Sequence, residues 1–323
     1  MAKGLCILLV VIGHYHPESS PLWYNELWKV IYSFHMPLFL FASGYLYIAT
    51  KKQEAYFGFL RKKVYRLMIP YLSTSLLLVS LKLLAQGQAY VENPVTWASY
   101  LKILYRPEAG FFLWFIWTLW WMFVLLPLCK GRTSRSLLFV LSVLLYFLPV
   151  ELPEVFCLSI CKRMFLYFML GVVLYDWRER LDFVRKIPAA AVYALFIAAE
   201  YLLLSGIVPA TMAPGFSLMV AVAGVGAVMK LAAWMAQALG GKSRKIWLQI
   251  AASSYIIYLF HTTFEGFAKS AIRKIPVWSD GENSLFFAIG AGLVVGCGVV
   301  FPILLHTRLL QRFRITRLLF GLK

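Results

Sequence analysis

The chain has 323 residues, 61% of them hydrophobic and 14% charged, against about 25% charged in a typical soluble domain. Mean hydropathy is +0.75, and 32 Lys+Arg against 14 Asp+Glu give a formal net charge of +18. A water-soluble fold cannot hide that much apolar surface. Soluble dinucleotide-binding enzymes, zinc ribbons and disulfide scaffolds are therefore excluded, and lipid is the solvent for most of the chain.

The composition predicts an all-α, polytopic integral membrane protein. Ten apolar segments follow in chain order, at 1–15, 28–50, 67–86, 111–129, 136–150, 155–175, 188–206, 213–237, 246–268 and 284–305. The first covers only about 22 Å at roughly 1.5 Å per residue, short of the roughly 30 Å hydrocarbon core. The expectation is that neighbours support it or that the natural chain begins upstream of Met1. Leu5 to Ile12 is apolar, but no small-residue cleavage site follows it, so it reads as membrane helix and not signal peptide.

Between the segments, charge alternates. One set of connections holds Lys51, Lys52, Arg61, Lys62, Lys63 and Arg66, then Lys130, Arg132 and Arg135, then Arg178, Arg180, Arg185 and Lys186, then Lys242, Arg244 and Lys245. The tail adds Arg308, Arg312, Arg314, Arg317 and Lys323. The other set carries the acids Glu18, Glu26, Glu92, Glu108, Glu151, Glu154, Asp280 and Glu282. The first set is expected in the cytoplasm, and ten crossings then place both termini there. This predicts a transmembrane domain over 1–305 and a basic amphipathic cytoplasmic tail over 306–323, lying at the membrane surface. The loop at about 87–110, with Trp97, Tyr100 and Tyr105, reads as an interfacial or re-entrant cap. Basic residues clustered between apolar runs describe topology, so nucleic acid is not an expected partner. The five cysteines show no zinc spacing and read as structural.

Ionisable residues inside membrane segments are functional candidates by default. His14 ends the first segment, His35 lies in the second and His261 in the ninth, all at a similar depth in the outer half; Arg163 enters the same layer and reads as buried. The plain alternative for each is helix packing. Four such groups at one depth favour chemistry, and imidazole acts as a general base near neutral pH. His14-x-His16 has a metal-like spacing, but Pro17 follows, and no metal is expected. At the cytoplasmic end, Lys3, Lys63 and Arg66 are candidate anion ligands. Lys3 and His14 share one helix, eleven residues and roughly 16 Å apart, so a long phosphorylated thioester held at one end would reach a base at the other. Trp114, Trp117, Trp120 and Trp121 in the fourth segment, with Trp23 and Trp28, read for the most part as a membrane-interface belt and helix packing. Glu200, Glu265 and Lys82 read as helix-end groups, snorkelling or paired. Gly224, Gly226 and the cluster Gly290, Gly292, Gly296 and Gly298 read as close helix packing.

These residues resemble membrane acyltransferase family 3, the group that O-acetylates cell-surface sugars. Lys3-Gly4 with Leu8-Leu9-Val10-Val11-Ile12-Gly13-His14 is similar to its Arg/Lys-x10-His motif. Ser33-Phe34-His35-Met36-Pro37-Leu38-Phe39 followed by Ser43-Gly44-Tyr45 is similar to its second-helix signature, in the form of the fucose 4-O-acetyltransferase-like branch. Lys63-x-x-Arg66 leading to Ile69-Pro70-Tyr71 resembles its Arg-x-x-Arg segment. Leu113-Trp114-Phe115, Arg163 with Phe165, Phe168 and Gly171, and Ser254 with Ile257-Tyr258-Leu259-Phe260-His261 resemble its fourth-, sixth- and ninth-helix patterns. Lys3 stands where many members have Arg, and Lys63 replaces the first Arg of the pair, keeping charge but losing the bidentate fork.

The resemblance implies an enzyme that moves an acyl group, acetyl as the expected case, from cytoplasmic acyl-CoA to a hydroxyl of a cell-surface or lipid-linked sugar. It implies acetyl-CoA as donor co-substrate and a bacterial inner membrane. Implied partners are membrane lipid, a glycan acceptor and other envelope-polysaccharide assembly proteins. His14 would take the acceptor proton or carry the acyl group, and His35 would orient or polarise the reacting groups. Lys3, Lys63 and Arg66 would hold the CoA phosphates, and Trp114 would stack on the sugar. Arg163, His261 or Tyr258 would donate to the oxyanion. The alternative is a transporter or flippase of a small molecule or glycan precursor, since ten helices with buried charges also describe one. A scaffold subunit is a third reading, but it has no use for three histidines at one depth.

Overall fold

A computed structural model describes residues 1–87, 91, 93–275 and 283–322. Glu92, Asp280, Glu282 and Lys323, used above for orientation, lie outside them. Among the described residues, helices are joined by turns and irregular connections, with no β-strand element. We label the long helical runs α1 Ala2–His14, α2 Leu22–Ala49, α3 Tyr56–Ala85, α4 Phe111–Leu128 and α5 Arg132–Phe147. They continue with α6 Val155–Asp176, α7 Ala189–Leu204, α8 Ala213–Ala238, α9 Gly241–Ile272 and α10 Ser284–Leu310. Six of these, α2, α3, α4, α6, α8 and α10, are long and apolar enough to cross a membrane, and α1 and α7 are shorter apolar helices.

Each predicted apolar segment holds one of these runs, but several helices are longer than the apolar pattern. Arg61 to Arg66 lie inside α3, Arg132 and Arg135 inside α5, and Lys242 to Lys245 inside α9, so these basic residues are not loop residues. Lys and Arg are good helix formers, and a hydropathy pattern marks the lipid-facing stretch and stops at the first charge.

Two glycines set the central packing. A Cβ on Gly44 of α2 would fall 2.0 Å from the Phe168 carbonyl oxygen, and one on Gly171 of α6 would fall 2.1 Å from that of Phe41. The two backbones touch there, a small-residue contact of the kind that joins helices in lipid. Gly171→Ala is expected to force them apart and cost about 1–3 kcal/mol, read as a lower melting temperature in detergent; an unchanged melting point would place the contact elsewhere. Gly224 packs on Phe34, and Gly298 on Glu265 and Val11, as expected. Gly292 and Gly296 face open space, which corrects the packing role assigned to them: they lie on the outer side of α10.

Prolines open the helices where partners are needed. Pro70 cannot donate to the Arg66 carbonyl four residues earlier, and α3 takes a π turn over Val64–Met68. The freed Arg66 oxygen accepts the Tyr255 hydroxyl from α9 at 2.9 Å. Pro37 likewise leaves the Ser33 carbonyl without its helical donor, next to His35. The connection before α4 carries one helical turn, Ser99–Lys102. It is tied down where the Tyr71 hydroxyl meets the carbonyls of Ile103 (2.7 Å) and Arg106 (2.9 Å). The tail is helical over Arg314–Leu319, and Phe320 is buried against Phe260, 5.1 Å between centroids, so its end docks on the bundle.

Candidate active site

A cavity of about 1650 Å³ opens among α1, α2, α3, α4, α5, α6, α8 and α9, and its wall includes His14, His35, Trp114, Arg163 and Tyr258. Residues from five separate stretches of sequence thus meet in one space. The sixth, His261, is fully buried at 0% exposure and lies against His14, edge to face at 4.7 Å between ring centroids. Phe112 closes the group, 6.1 Å from His14 and 5.3 Å from His261.

The three histidines share one geometry. His14 Nδ1 is 2.8 Å from the Val10 carbonyl, His35 Nδ1 2.8 Å from that of Ile31, and His261 Nδ1 2.8 Å from that of Tyr258. A carbonyl only accepts, so each Nδ1 donates, and each neutral ring therefore has its lone pair on Nε2. A helical i−4 or i−3 contact turns each side chain into the base form with Nε2 as the basic nitrogen, and second contacts at Nδ1 of this kind orient catalytic imidazoles. His261 Nε2 is buried with no hydrogen-bond partner among the described residues.

The three oxyanion candidates differ in what they have left to give. The Tyr258 hydroxyl is committed to the Phe112 carbonyl at 2.7 Å, which pins the start of α4 over His14. His261, in the tautomer its Nδ1 contact sets, carries no Nε2 proton. Arg163 keeps its guanidinium donors. It is exposed to the cavity, and this corrects its reading as a buried arginine: Ile160, Met164 and Tyr167 line the same face of α6, and that face opens onto the cavity.

Lys3, Lys63 and Arg66 do not line this cavity. Lys3 and Arg66 are exposed, Lys3 at the far end of α1. The Lys63 ammonium sits 3.4 Å from the centroid of the Phe123 ring and 5.2 Å from that of Phe59, a cation–π seat. His14 and His16 both line the cavity, but their rings have different partners: His16 is exposed, hydrogen-bonded to Asn25 at 2.8 Å and stacked on Trp28 at 4.4 Å. Among the described residues no group of three His, Cys, Asp or Glu side chains could hold a metal.

Sequence reasoning placed two acids wrongly. Glu265 is 1% exposed and lines the cavity one turn beyond His261, and Glu200 is 5% exposed and hydrogen-bonded to Ser33. Both were read as helix-end groups. The signal available is spacing: His261, Glu265 and Lys269 recur every four residues along α9, Arg273 follows at its C-terminal end, and the last three line the cavity. Trp28 and Tyr32 also line its wall, and nothing in the sequence singles them out.

Helices of membrane length around a cavity lined by His14 and His35, with His261 packed behind His14, define a helical membrane protein with imidazoles in its interior. The family described as "Acyltransferase domain" matches residues 1–303, and the chain belongs to that acyltransferase family. It is similar to Nodulation protein NolL of Sinorhizobium fredii (strain NBRC 101917 / NGR234), 35% identical over 88 residues, 26% of this chain and 24% of that protein. It is also similar to Nodulation protein NolL of Mesorhizobium japonicum (strain LMG 29417 / CECT 9101 / MAFF 303099), 34% identical over 86 residues, 25% of this chain and 23% of that protein. The matched stretch thus spans about a quarter of the length of these relatives. No solved structure matches the chain. Family and helices together make it a multi-pass membrane protein.

Proposed function

We propose that the protein is an O-acyltransferase that moves an acyl group, acetyl in the first instance, from cytoplasmic acyl-CoA to a hydroxyl of a cell-surface or lipid-linked sugar. The observation that carries this reading is His14: its Nδ1 is tied to Val10, its Nε2 is the basic nitrogen, and it stands in a large cavity beside His261. Ten crossings put both termini in the cytoplasm of a bacterial inner membrane. CoA phosphates then meet Lys3 and Arg66, with Lys63 adding charge from its seat on Phe123, and the pantetheine arm runs along the roughly 16 Å from Lys3 to His14.

In the reaction His14 Nε2 takes the proton of the acceptor hydroxyl as its oxygen attacks the thioester carbonyl carbon. The C–S bond breaks, and the leaving thiolate takes the proton back from the imidazolium. His35, fixed by Ile31, orients the acceptor, and the buried Nε2 of His261 accepts a hydrogen bond in the loaded site. Trp114 supplies a ring face to the sugar. Other envelope-polysaccharide assembly proteins would deliver the acceptor. Neither the fold nor the comparisons favour the transporter reading.

The test is transfer of label from acetyl-CoA to cell-envelope glycan in membranes that carry or lack the protein, together with hydrolysis of acetyl-CoA by the purified protein. Label in glycan from carrying membranes alone is the expected result. No label and no acetyl-CoA binding would overturn the reading.

A further inference from the structure

Four cationic side chains line the cavity that holds His14 and His35. Lys82 comes from α3, Arg163 from α6, and Lys269 and Arg273 from α9, against two carboxylates, Glu18 and Glu265. They stand at the end of the helices where the connections are poorest in Lys and Arg, so the charge bias that orients membrane proteins does not account for them. Several other cations at this end have partners of their own. Lys29 pairs with Glu26 at 2.8 Å, Lys102 and Arg106 with Glu108 at 3.4 and 2.9 Å, and Lys162 donates to the carbonyls of Leu148 and Val150. Within the cavity, Lys82 donates to the Asn93 carbonyl at 3.0 Å and Lys269 to the His14 carbonyl at 3.2 Å. Arg163 has no ion pair or hydrogen bond among the described residues. Its planar fork is the side chain best matched to a carboxylate or phosphate.

A second feature shares this cavity. His16, Trp28, Tyr32 and His35 form a run of rings with centroids 4.4, 4.2 and 4.7 Å apart, and all four lie on the cavity wall. Tyr32 is 40% exposed, so this is a surface and not core packing. His16, Trp28 and Tyr32 stack on one another, so the wall meets the cavity through ring edges and the exposed Tyr32, an apolar rim against which the C–H groups of a sugar ring can pack.

We propose that the acceptor is anionic: a sugar bearing a phosphate or carboxylate group that Arg163 binds in this cavity, its ring lying along the Trp28–Tyr32 wall. The inference rests on the acyltransferase reading and narrows its acceptor. An oxyanion donor works best where water is excluded, whereas a guanidinium open to a wet cavity suits a charge the acceptor brings with it. The anion is either the phosphate linkage of a lipid-carried sugar or the carboxylate of an acidic sugar.

The test uses the purified full-length protein with CoA present in excess, so that the cytoplasmic phosphate ligands are filled. Its melting temperature is followed with inorganic pyrophosphate, glucuronate, glucose, and chloride at matched ionic strength. Pyrophosphate or glucuronate is expected to raise it saturably, glucose and chloride not, and the more effective anion identifies the source of the charge. In R163A the apparent affinity for that anion falls by about ten-fold, the loss of one charge-assisted contact, and R163K keeps part of it. If R163A aggregates, R163Q reads the same affinity. No effect of either anion beyond chloride would overturn the proposal, as would an equal shift in the Arg163 variants. Label transfer from acetyl-CoA to envelope glycan and acetyl-CoA binding are read separately: absence of both would sink the acyltransferase reading, whereas their presence with no anion effect would sink only this one.

Discussion

The His14→Ala variant is expected to lose acyl transfer by at least about 100-fold while still inserting and folding. A positioned general base contributes roughly 10²–10⁴-fold, and nothing else around the cavity replaces this one directly. His261 has the same tautomer but is fully buried, and His35, at 2% exposure, is held by its own helix on α2. The folding cost is small because His14 is only half-buried and ends α1, where its ring packs edge-on against Phe112 and His261. His14→Gln retains a polar side chain without a base and is expected to be as inactive. Label transfer from acetyl-CoA in membranes, normalised to protein level, measures both. Turnover within a few-fold of wild type in either variant would remove the base from the mechanism.

That His14, His35 and His261 belong together was legible in the sequence because charge and imidazole are costly in lipid, so each stands out against an apolar segment. Counting residues from the ends of those segments gives one depth for all three; His14 and His35 line one cavity, and His261 lies against His14. What the pattern could not carry was lateral placement. Depth along a helix is additive in sequence, but which face turns inward depends on neighbours far away in the chain. Arg163 was therefore taken as buried when its face opens onto the cavity. Glu265 was taken as a helix-end group when Gly298 of α10 leaves the space that seats it. Helix ends were misjudged for a related reason. Charged turns continue the helix beyond the lipid, so Arg61–Arg66 and Arg132–Arg135 were read as loop. Ring tautomers are also beyond sequence reading, because they follow from carbonyls that a helix presents only once it is formed.

Arg135 shows the energetic side of that blindness, and its removal is expected to be the most destabilising single change outside the helix contacts. It reads as one more basic residue in a cytoplasmic loop, yet it is 7% exposed. Its Nε and Nη2 donate to the two oxygens of Asp176 at 2.6 and 2.9 Å, and Nη1 donates to the Lys130 carbonyl at 2.7 Å. The first turn of α5 is thereby locked to the last residue of α6, and Trp177 reinforces the joint by donating to Ser136 at 3.0 Å. Arg135→Ala leaves the Asp176 carboxylate buried and unpaired, which costs about 3–5 kcal/mol. Arg135→Lys keeps the charge but not the fork and falls between. Replacing both partners with apolar residues of similar size, Arg135→Met with Asp176→Leu, is expected to recover most of the loss, because a buried pair is held against its own desolvation. Melting temperatures in detergent, at matched helicity, order the four proteins as wild type, double variant, Arg135→Lys and Arg135→Ala. An Arg135→Ala protein that melts with the wild type would mean that water reaches this pair. The α5–α6 joint would then be held by packing alone.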